Sequence, residues 1–264
     1  MGKPNPASRR AALEAQRQAA LASRRRGRMI GGLVGALCGL LLAAGLAWWW
    51  NVRNQPEPVA VGSQVAVSHA SNQGRGITVA KTPTGKPTLV VYEDYQCPWC
   101  KVAHDGMGPQ IDALVAKGEI GVEVRTLDML DAGLNNDASL RAATAAACAD
   151  VDGTHTKYRD TVFANQPQKE GTGYTDQQLR QDFAASAGVK DLTAFQTCYD
   201  QRQTHDAVQK VLDAARDADR DTSTPQYWAA DEKGELKNQL DLKTLMGQRN
   251  PTEEELLAAI KAAA

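Results

Sequence analysis

Apolar and polar positions along the middle of the chain predict a strand, then a helix, then a second strand. The run Leu89–Tyr92 is apolar and rich in β-branched side chains, which indicates a buried strand. Helical spacing follows from Pro98 to about Lys117, and Gly118 comes next, as is typical of a helix C-terminus. Residues 120–127 then alternate like a second strand. A strand–helix–strand unit of this kind predicts two parallel strands joined by a right-handed crossover.

Helical patterns dominate the region that follows and predict a helical subdomain over about residues 132–219. Five helices are predicted there, over residues 139–148, 156–164, 176–187, 191–199 and 205–219. Strand patterns return at residues 224–230 and 235–236, and Thr252 is predicted to cap a last helix over residues 253–261. This order of elements predicts an α/β fold that is interrupted by an all-helical insertion.

Residues 29–50 form a stretch of 22 residues without a charged side chain. As a helix with a rise of about 1.5 Å per residue, this stretch is long enough to cross the ~30 Å hydrocarbon core of a bilayer. It is too long for the apolar core of a cleaved signal peptide, and it ends in three tryptophans, which favour the membrane interface. We therefore interpret it as a single, uncleaved transmembrane anchor in contact with the lipid bilayer.

Basic side chains are concentrated at the N-terminus, although the formal net charge of the chain is only −1. Residues 1–28 contain eight basic side chains and one acidic side chain, whereas only Arg53 follows the apolar stretch closely. The positive-inside rule then predicts a cytoplasmic tail over residues 1–28 and an extracytoplasmic remainder of a cell-membrane protein. This topology explains the basic tail without nucleic-acid binding. Residues 51–74 lack periodicity and are predicted to be an extracytoplasmic linker.

The motif Cys97-Pro98-Trp99-Cys100 lies where the first buried strand leads into the helix. Cys97 is predicted at the N-cap and Pro98 at the first helical position, where the missing N–H of proline would have no helical partner. The unpaired N–H groups and the helix dipole favour a thiolate at Cys97. Such a pair of cysteines occurs in zinc sites, in static disulfides and in redox-active disulfides.

The redox interpretation is favoured over the other two. Zinc requires four ligands, and the sequence contains neither a second CxxC motif nor paired histidines, so we predict no metal and no cofactor. A static disulfide across so short a loop would add little stability. Cys148 and Cys198 are also on the predicted extracytoplasmic side. A structural disulfide between them is favoured over two free thiols or a second redox couple.

Several separated motifs resemble the DsbA-like family of thioredoxin-fold thiol–disulfide oxidoreductases. Residues 93–100, EDYQCPWC, are similar to the active-site segment of that family, and the resemblance covers about residues 75–264. Further similar segments follow in the same order as in the family, at residues 139–148, 163–167, 171–175, 195–198 and 223–225. The predicted anchor and linker lie outside the resemblance.

The resemblance implies a thioredoxin fold with an inserted all-helical subdomain, preceded here by the single transmembrane helix. It also implies that Cys97 is the accessible nucleophile, that Cys100 is its buried partner, and that Pro225 is a cis-proline facing the pair. The backbone of Thr224 would then be free to pair with an extended segment of a substrate.

Two positions depart from the pattern of the family. Val91 stands where relatives often carry a buried Glu that shuttles protons, so Glu93 and Asp94 are the candidates for a proton relay to Cys100. Trp99 stands where a histidine could stabilise the thiolate by its charge. An indole offers only a donor and bulk, or a contact for the substrate.

These observations predict a membrane-anchored, extracytoplasmic enzyme that oxidises cysteines of unfolded secreted or cell-envelope proteins through a Cys97–Cys100 disulfide. By family analogy, a membrane protein similar to DsbB or to vitamin K epoxide reductase would regenerate that disulfide. Two alternatives stay open at this point. One is a disulfide reductase or isomerase with the same site, and the other is a non-catalytic thioredoxin-fold binding module.

Overall fold

The computed structural model describes residues 39–49, 61–71, 74–220, 222–231, 234–247 and 249–264. The chain divides into two units, residues 1–59 and residues 60–264. In the first unit the described residues, 39–49, are helical. The predicted tail and the rest of the predicted 29–50 anchor lie outside the described residues. Within the described part of the chain, no helix is both long enough and apolar enough to cross a membrane.

A five-stranded mixed sheet forms the centre of the second unit. The strands are β1 (Ile77–Ala80), β2 (Thr88–Glu93), β3 (Gly121–Thr126), β4 (Gln226–Ala230) and β5 (Leu236–Gln239). Their order across the sheet is β1-β3-β2-β4-β5, with β2 and β3 parallel and all other neighbours antiparallel. Helix α1 (Pro98–Ala116) joins β2 to β3. The predicted strand–helix–strand unit is therefore confirmed.

A helical insertion separates β3 from β4, as predicted. Its helices are α2 (Met129–Leu134), α3 (Ala138–Val151), α4 (His155–Ala164), α5 (Phe183–Ala187), α6 (Leu192–Asp200) and α7 (His205–Asp217). Two details differ from the prediction: α2 is an additional short helix, and a π-helical turn, Gln178–Asp182, precedes α5 within the predicted 176–187 helix. Two helices, α8 (Leu242–Leu245) and α9 (Glu253–Ala263), follow the sheet.

Successive residues of β2 face opposite sides of the sheet, because side chains alternate along a strand. Leu89 and Val91 pack into one buried cluster with side chains of α1 and α9. Val90 and Tyr92 pack into a second cluster with side chains of α3 and α7. All six residues of β2 are buried, which explains why its middle four residues, 89–92, are a continuous run of largely apolar side chains.

A third buried cluster contains both Cys97 and Cys100. Its other members come mainly from the helical insertion and include Phe163 of α4 and Cys198 of α6. The two cysteines at the start of α1 therefore lie at the junction between the sheet-based part of the fold and the helical insertion.

Residues 61–71, which belong to the predicted linker, pack against the rest of the second unit. The backbone N–H of His69 donates to Asp150 Oδ2 at 2.8 Å, and its ring Nδ1 lies 2.9 Å from Asp150 Oδ1. Ala70 pairs with Ile77 in an antiparallel bridge. This segment therefore covers the outer edge of β1.

Candidate active site

Helix α1 begins at the cysteine pair in the way that the sequence predicts. Cys97 is the N-cap, with extended dihedral angles (φ −74°, ψ 117°), and Pro98 occupies the first turn. The Cys97 carbonyl accepts hydrogen bonds from the N–H groups of Cys100 at 3.1 Å and Lys101 at 3.3 Å. The Cys97 side chain is thus held beside the N–H groups that have no partner within the helix.

The Thr224–Pro225 segment lies next to the cysteines because β4 runs antiparallel to β2. Tyr92 near the end of β2 is paired with Gln226 at the start of β4, so the residues just before β4 lie beside the start of α1. The Thr224–Pro225 peptide bond is cis, and Cys97 Sγ lies 3.5 Å from the Thr224 carbonyl oxygen. The structure thus brings together Cys97, Cys100, Thr224 and Pro225 from positions more than 120 residues apart in the chain.

The two thiols have opposite electrostatic environments. The Cys100 thiol donates a hydrogen bond toward Cys97 Sγ, and the N–H groups of Cys100 and Trp99 are further donors. Together these donors lower the pKa of Cys97 to about 6, although burial opposes them. Burial, followed by the neighbouring Cys97, raises the pKa of Cys100 well above its ordinary value. Near neutral pH the pair therefore holds a thiolate at Cys97 and a thiol at Cys100.

Both cysteines are unpaired in the structure, and both are largely shielded from solvent. The exposed fraction is 5% for Cys97 and 2% for Cys100, so the nucleophile is less open than the resemblance implies. Between them, Trp99 is 71% exposed, and Val102 one turn later is also exposed. Large apolar side chains on a protein surface favour contact with a partner. Trp99 thus extends an apolar surface directly beside the reactive sulfur.

The two proton-relay candidates differ in what their carboxylates contact. Glu93, at the end of β2, is buried and forms a bidentate ion pair with Arg159 of α4, with N–O distances of 2.7 and 2.6 Å. A bidentate pair between a guanidinium and a carboxylate fixes the orientation of both side chains. Glu93 is thus a structural partner of Arg159 in this structure.

Asp94 contacts Cys100 through its backbone, since its N–H lies 3.4 Å from Cys100 Sγ. Its carboxylate accepts hydrogen bonds from Ser139 Oγ and from the N–H groups of Gln96 and Leu130. Burial nevertheless raises the pKa of Asp94 to about 6. Asp94 therefore contacts Cys100 through its N–H, and its own carboxyl group can exchange a proton near neutral pH.

Sequence reasoning did not single out the side chains of the helical insertion that hold the active-site turn. Gln166 Nε2 donates to the carbonyl oxygens of Tyr95 at 2.8 Å and Cys97 at 3.0 Å. The Tyr174 hydroxyl also donates to the Tyr95 carbonyl, at 2.7 Å. Both residues lie in segments that carry the family resemblance, which was the only signal for them in the sequence.

Cys148 of α3 and Cys198 of α6 form a disulfide, with an S–S distance of 1.98 Å and a Cα–Cα distance of 5.9 Å. The bond closes a 50-residue separation within the helical insertion. A loop of this size is worth up to about 4 kcal/mol in the chain-entropy description. The bond thus stabilises the insertion that packs over the cysteine pair.

The described residues contain no group of three or more His, Cys, Asp or Glu side chains that could hold a metal ion.

The chain is similar to known thioredoxin-fold proteins. The thioredoxin family model matches residues 79–262. No curated protein matches the chain in sequence. Among solved structures, it is similar to the thiol-disulfide oxidoreductase MdbA from Actinomyces oris, with 17% identity and a TM-score of 0.58 over 78% of this chain and 96% of that one.

Two further solved structures have a similar fold. MdbA from Corynebacterium diphtheriae has 21% identity and a TM-score of 0.53, covering 66% of this chain and 89% of that one. BdbD from Bacillus subtilis, in its oxidised form, has 18% identity and a TM-score of 0.54, covering 78% of this chain and 98% of that one. The family match and these shared folds agree with the motifs read from the sequence. The chain therefore belongs to the thioredoxin family and has the DsbA-like fold of thiol–disulfide oxidoreductases.

Proposed function

We propose that this protein is a membrane-anchored thiol–disulfide oxidoreductase that oxidises cysteine pairs of unfolded proteins outside the cytoplasm. The observation that carries the proposal is the asymmetry of the two thiols, since the pKa of Cys97 is lowered to about 6 while that of Cys100 is raised. A low-pKa sulfur at a helix N-terminus is a good leaving group in thiol–disulfide exchange.

The reaction begins from the oxidised enzyme. A substrate thiolate attacks Cys97 Sγ, the Cys97–Cys100 bond breaks, and the electron pair leaves on Cys100, which takes up a proton because its pKa is high. Asp94 is the proposed donor of that proton. A second substrate thiolate then attacks the substrate sulfur of the mixed disulfide and expels Cys97 as a thiolate. The substrate gains a disulfide, and the enzyme is left as a dithiol.

The oxidising direction is favoured by the stabilised Cys97 thiolate. Whatever stabilises the reduced form makes the disulfide form a stronger oxidant. For the same reason, a reductase with this site would be a weaker reductant. Each cycle leaves the enzyme reduced, so a reoxidant is required. By family analogy, we propose a membrane protein similar to DsbB or to vitamin K epoxide reductase.

The substrate is proposed to lie across Trp99 and the cis Thr224–Pro225 segment. Thr224 presents its backbone beside Cys97 Sγ, and an extended peptide can pair with such a backbone as an added strand. Trp99 offers an exposed apolar surface that fits the side chains of unfolded proteins. The predicted 29–50 anchor would keep this site at the outer face of the cell membrane.

The test of catalysis uses the full chain and a reduced, unfolded substrate with two cysteines. Cys97→Ser and Cys100→Ser are each expected to abolish disulfide formation, because neither variant can hold the Cys97–Cys100 disulfide that oxidises the substrate. Asp112→Ser, an exposed change on the same helix, is the matched control and is expected to retain activity. Activity that survives Cys97→Ser would refute both enzyme hypotheses, the oxidase and the reductase or isomerase, and would leave the non-catalytic binding module.

The test of direction is the equilibrium of the Cys97–Cys100 pair with glutathione. An oxidase is expected to be reduced readily by the glutathione pool, because its dithiol form is stabilised. A pair that stays oxidised against an excess of reduced glutathione would overturn the oxidase direction in favour of a reductase.

A further inference from the structure

We infer that Gln166 is a positioning residue for the reactive cysteine: its side-chain amide holds the turn from Tyr95 to Cys97 so that Cys97 Sγ faces the donors that stabilise its thiolate. The inference rests on the proposed function and assigns a role in it to a side chain of the helical insertion.

The contact is made by one amide group with two carbonyls of the active-site turn. Gln166 Nε2 lies 2.8 Å from the Tyr95 carbonyl oxygen and 3.0 Å from the Cys97 carbonyl oxygen. A primary amide has two N–H donors, so both bonds can form at once. The two carbonyls flank Gln96, and Gln166 therefore bridges the turn from one side to the other.

The position of Gln166 is itself well determined. It follows the C-terminus of α4, and its N–H donates to the Phe163 carbonyl at 3.2 Å. The Phe163 ring is buried and packs against Tyr95, with ring centroids 5.1 Å apart. Gln166 thus connects the C-terminus of α4 to the backbone of Cys97.

The bridged turn controls the environment of the thiolate. Cys97 N–H donates to the Asp94 carbonyl at 3.0 Å, and the Cys97 carbonyl accepts from the first turn of α1. The dihedral angles of Cys97 decide whether its Sγ points at the N–H groups of Trp99 and Cys100, which help to stabilise the thiolate. Loss of the bridge frees the turn, so that Cys97 Sγ is less firmly aligned with these N–H groups. This loss of alignment disfavours the thiolate.

Other bonds allow the fold to survive the loss of Gln166. The Tyr95 carbonyl keeps the Tyr174 hydroxyl as a donor, and the Cys97 carbonyl keeps the N–H groups of α1. Neither carbonyl is left without a partner, so truncation of Gln166 is expected to cost little stability. The variant can therefore be examined as a folded protein.

The experiment compares the full chain with Gln166→Ala and Gln166→Glu. The Cys97 pKa is measured from the pH dependence of iodoacetamide alkylation, with the labelled site identified by peptide mass, and the equilibrium with glutathione is measured separately. Gln166→Ala is expected to raise the Cys97 pKa by about one unit, which shifts the equilibrium about fivefold toward the disulfide near pH 7. Gln166→Glu is expected to act more strongly, because a carboxylate would face two carbonyl oxygens.

Two controls separate positioning from a general effect on the fold. Asn165→Ala changes the exposed neighbour, whose amide bonds only within α4, and should leave the Cys97 pKa unchanged. Tyr174→Phe removes a donor from the Tyr95 carbonyl only, and should shift the Cys97 pKa less than Gln166→Ala does.

An unchanged Cys97 pKa and glutathione equilibrium in both Gln166 variants would overturn the inference, as would an equal shift in Asn165→Ala. A lower melting temperature with the same Cys97 pKa would show a structural role only. Because these measurements need no protein substrate, their failure is distinct from activity that survives Cys97→Ser, which refutes the proposed function itself.

Discussion

At the scale of single residues, the site depends on two identical side chains whose surroundings shift their pKa values in opposite directions. Cys97 and Cys100 are separated by one helical turn and share a buried cluster, yet hydrogen-bond donors lower the pKa of Cys97 while burial raises that of Cys100. The difference follows from position, since the N-cap of a helix is beside unpaired N–H groups and the next turn is not. In the proposed reaction, the asymmetry gives one sulfur, Cys97, that leaves readily as a thiolate and one, Cys100, that takes up a proton when the disulfide opens.

The pH dependence of alkylation tests this asymmetry. In the reduced protein, the rate of Cys97 alkylation is expected to rise about tenfold per pH unit below about pH 6 and to level off above about pH 7, because the thiolate is the reactive form. Cys100 is expected to react slowly throughout. The unfolded protein is the control and should show a midpoint near the ordinary cysteine value of about 8.5. A midpoint near that value in the folded protein would contradict the lowered Cys97 pKa.

At the scale of elements, the buried ion pair between β2 and α4 joins the sheet to the helical insertion. Glu93 is the last residue of β2, and its side chain is only 2% exposed, while that of Arg159 is 13% exposed. Glu93 lies four residues before the reactive Cys97. Because the insertion also holds the turn through Gln166, the orientation of α4 relative to β2 fixes the geometry of the site.

Removal of one partner of this pair should destabilise the fold strongly. Arg159→Met leaves the Glu93 carboxylate buried without its counter-charge, and the free energy of unfolding is expected to fall by about 3–5 kcal/mol. Denaturant unfolding of the full chain measures the change. Arg180→Met breaks an exposed pair with Asp200 and should leave the free energy of unfolding nearly unchanged. Equal losses in the two variants would show that the Glu93–Arg159 pair has no special role.

At the scale of the whole molecule, the described part of the second unit contains all the groups of the proposed site. Residues 61–71 pack across the edge of β1 and contact Asp150 of α3, so the ordered unit extends toward the N-terminus beyond the family match at residue 79. The proposed anchor at residues 29–50 is separated from residue 61 by only ten residues.

The proposed anchor can be tested on the full chain in cells. The protein is expected to stay in the membrane fraction after alkaline extraction, and protease added outside should digest the catalytic unit. Leu41→Arg combined with Leu42→Arg places two charges in the apolar stretch, each costing about 3 kcal/mol at the centre of a bilayer, and should prevent insertion. The matched Leu41→Ala, Leu42→Ala protein should remain anchored. Wild-type protein in the soluble fraction would contradict the anchor.

Much of the fold could be predicted because local patterns and local structure agree. Apolar periodicity located β2, α1 and β3 to within one or two residues. Thr252 caps α9 as predicted: its hydroxyl accepts from the Glu255 N–H, and its own N–H donates to the Glu255 carboxylate. Patterns failed where local geometry is irregular, as at the π-helical turn Gln178–Asp182. A periodicity of about 3.6 residues does not distinguish that turn from an α-helix.

The cysteine motif at the start of α1, and thus the chemistry of the site, is a property of local sequence, because a strand, an N-cap and a proline suffice to place a thiol at a helix N-terminus. Other features required the tertiary structure. Glu93 is paired with Arg159 from 66 residues away, and Gln166 reaches Cys97 across 69 residues. Contacts between residues so far apart in the chain depend on how the sheet and the insertion pack together, and no local sequence pattern predicts that packing. The sequence thus identifies the reactive sulfur, and the packing of the insertion determines how it is held.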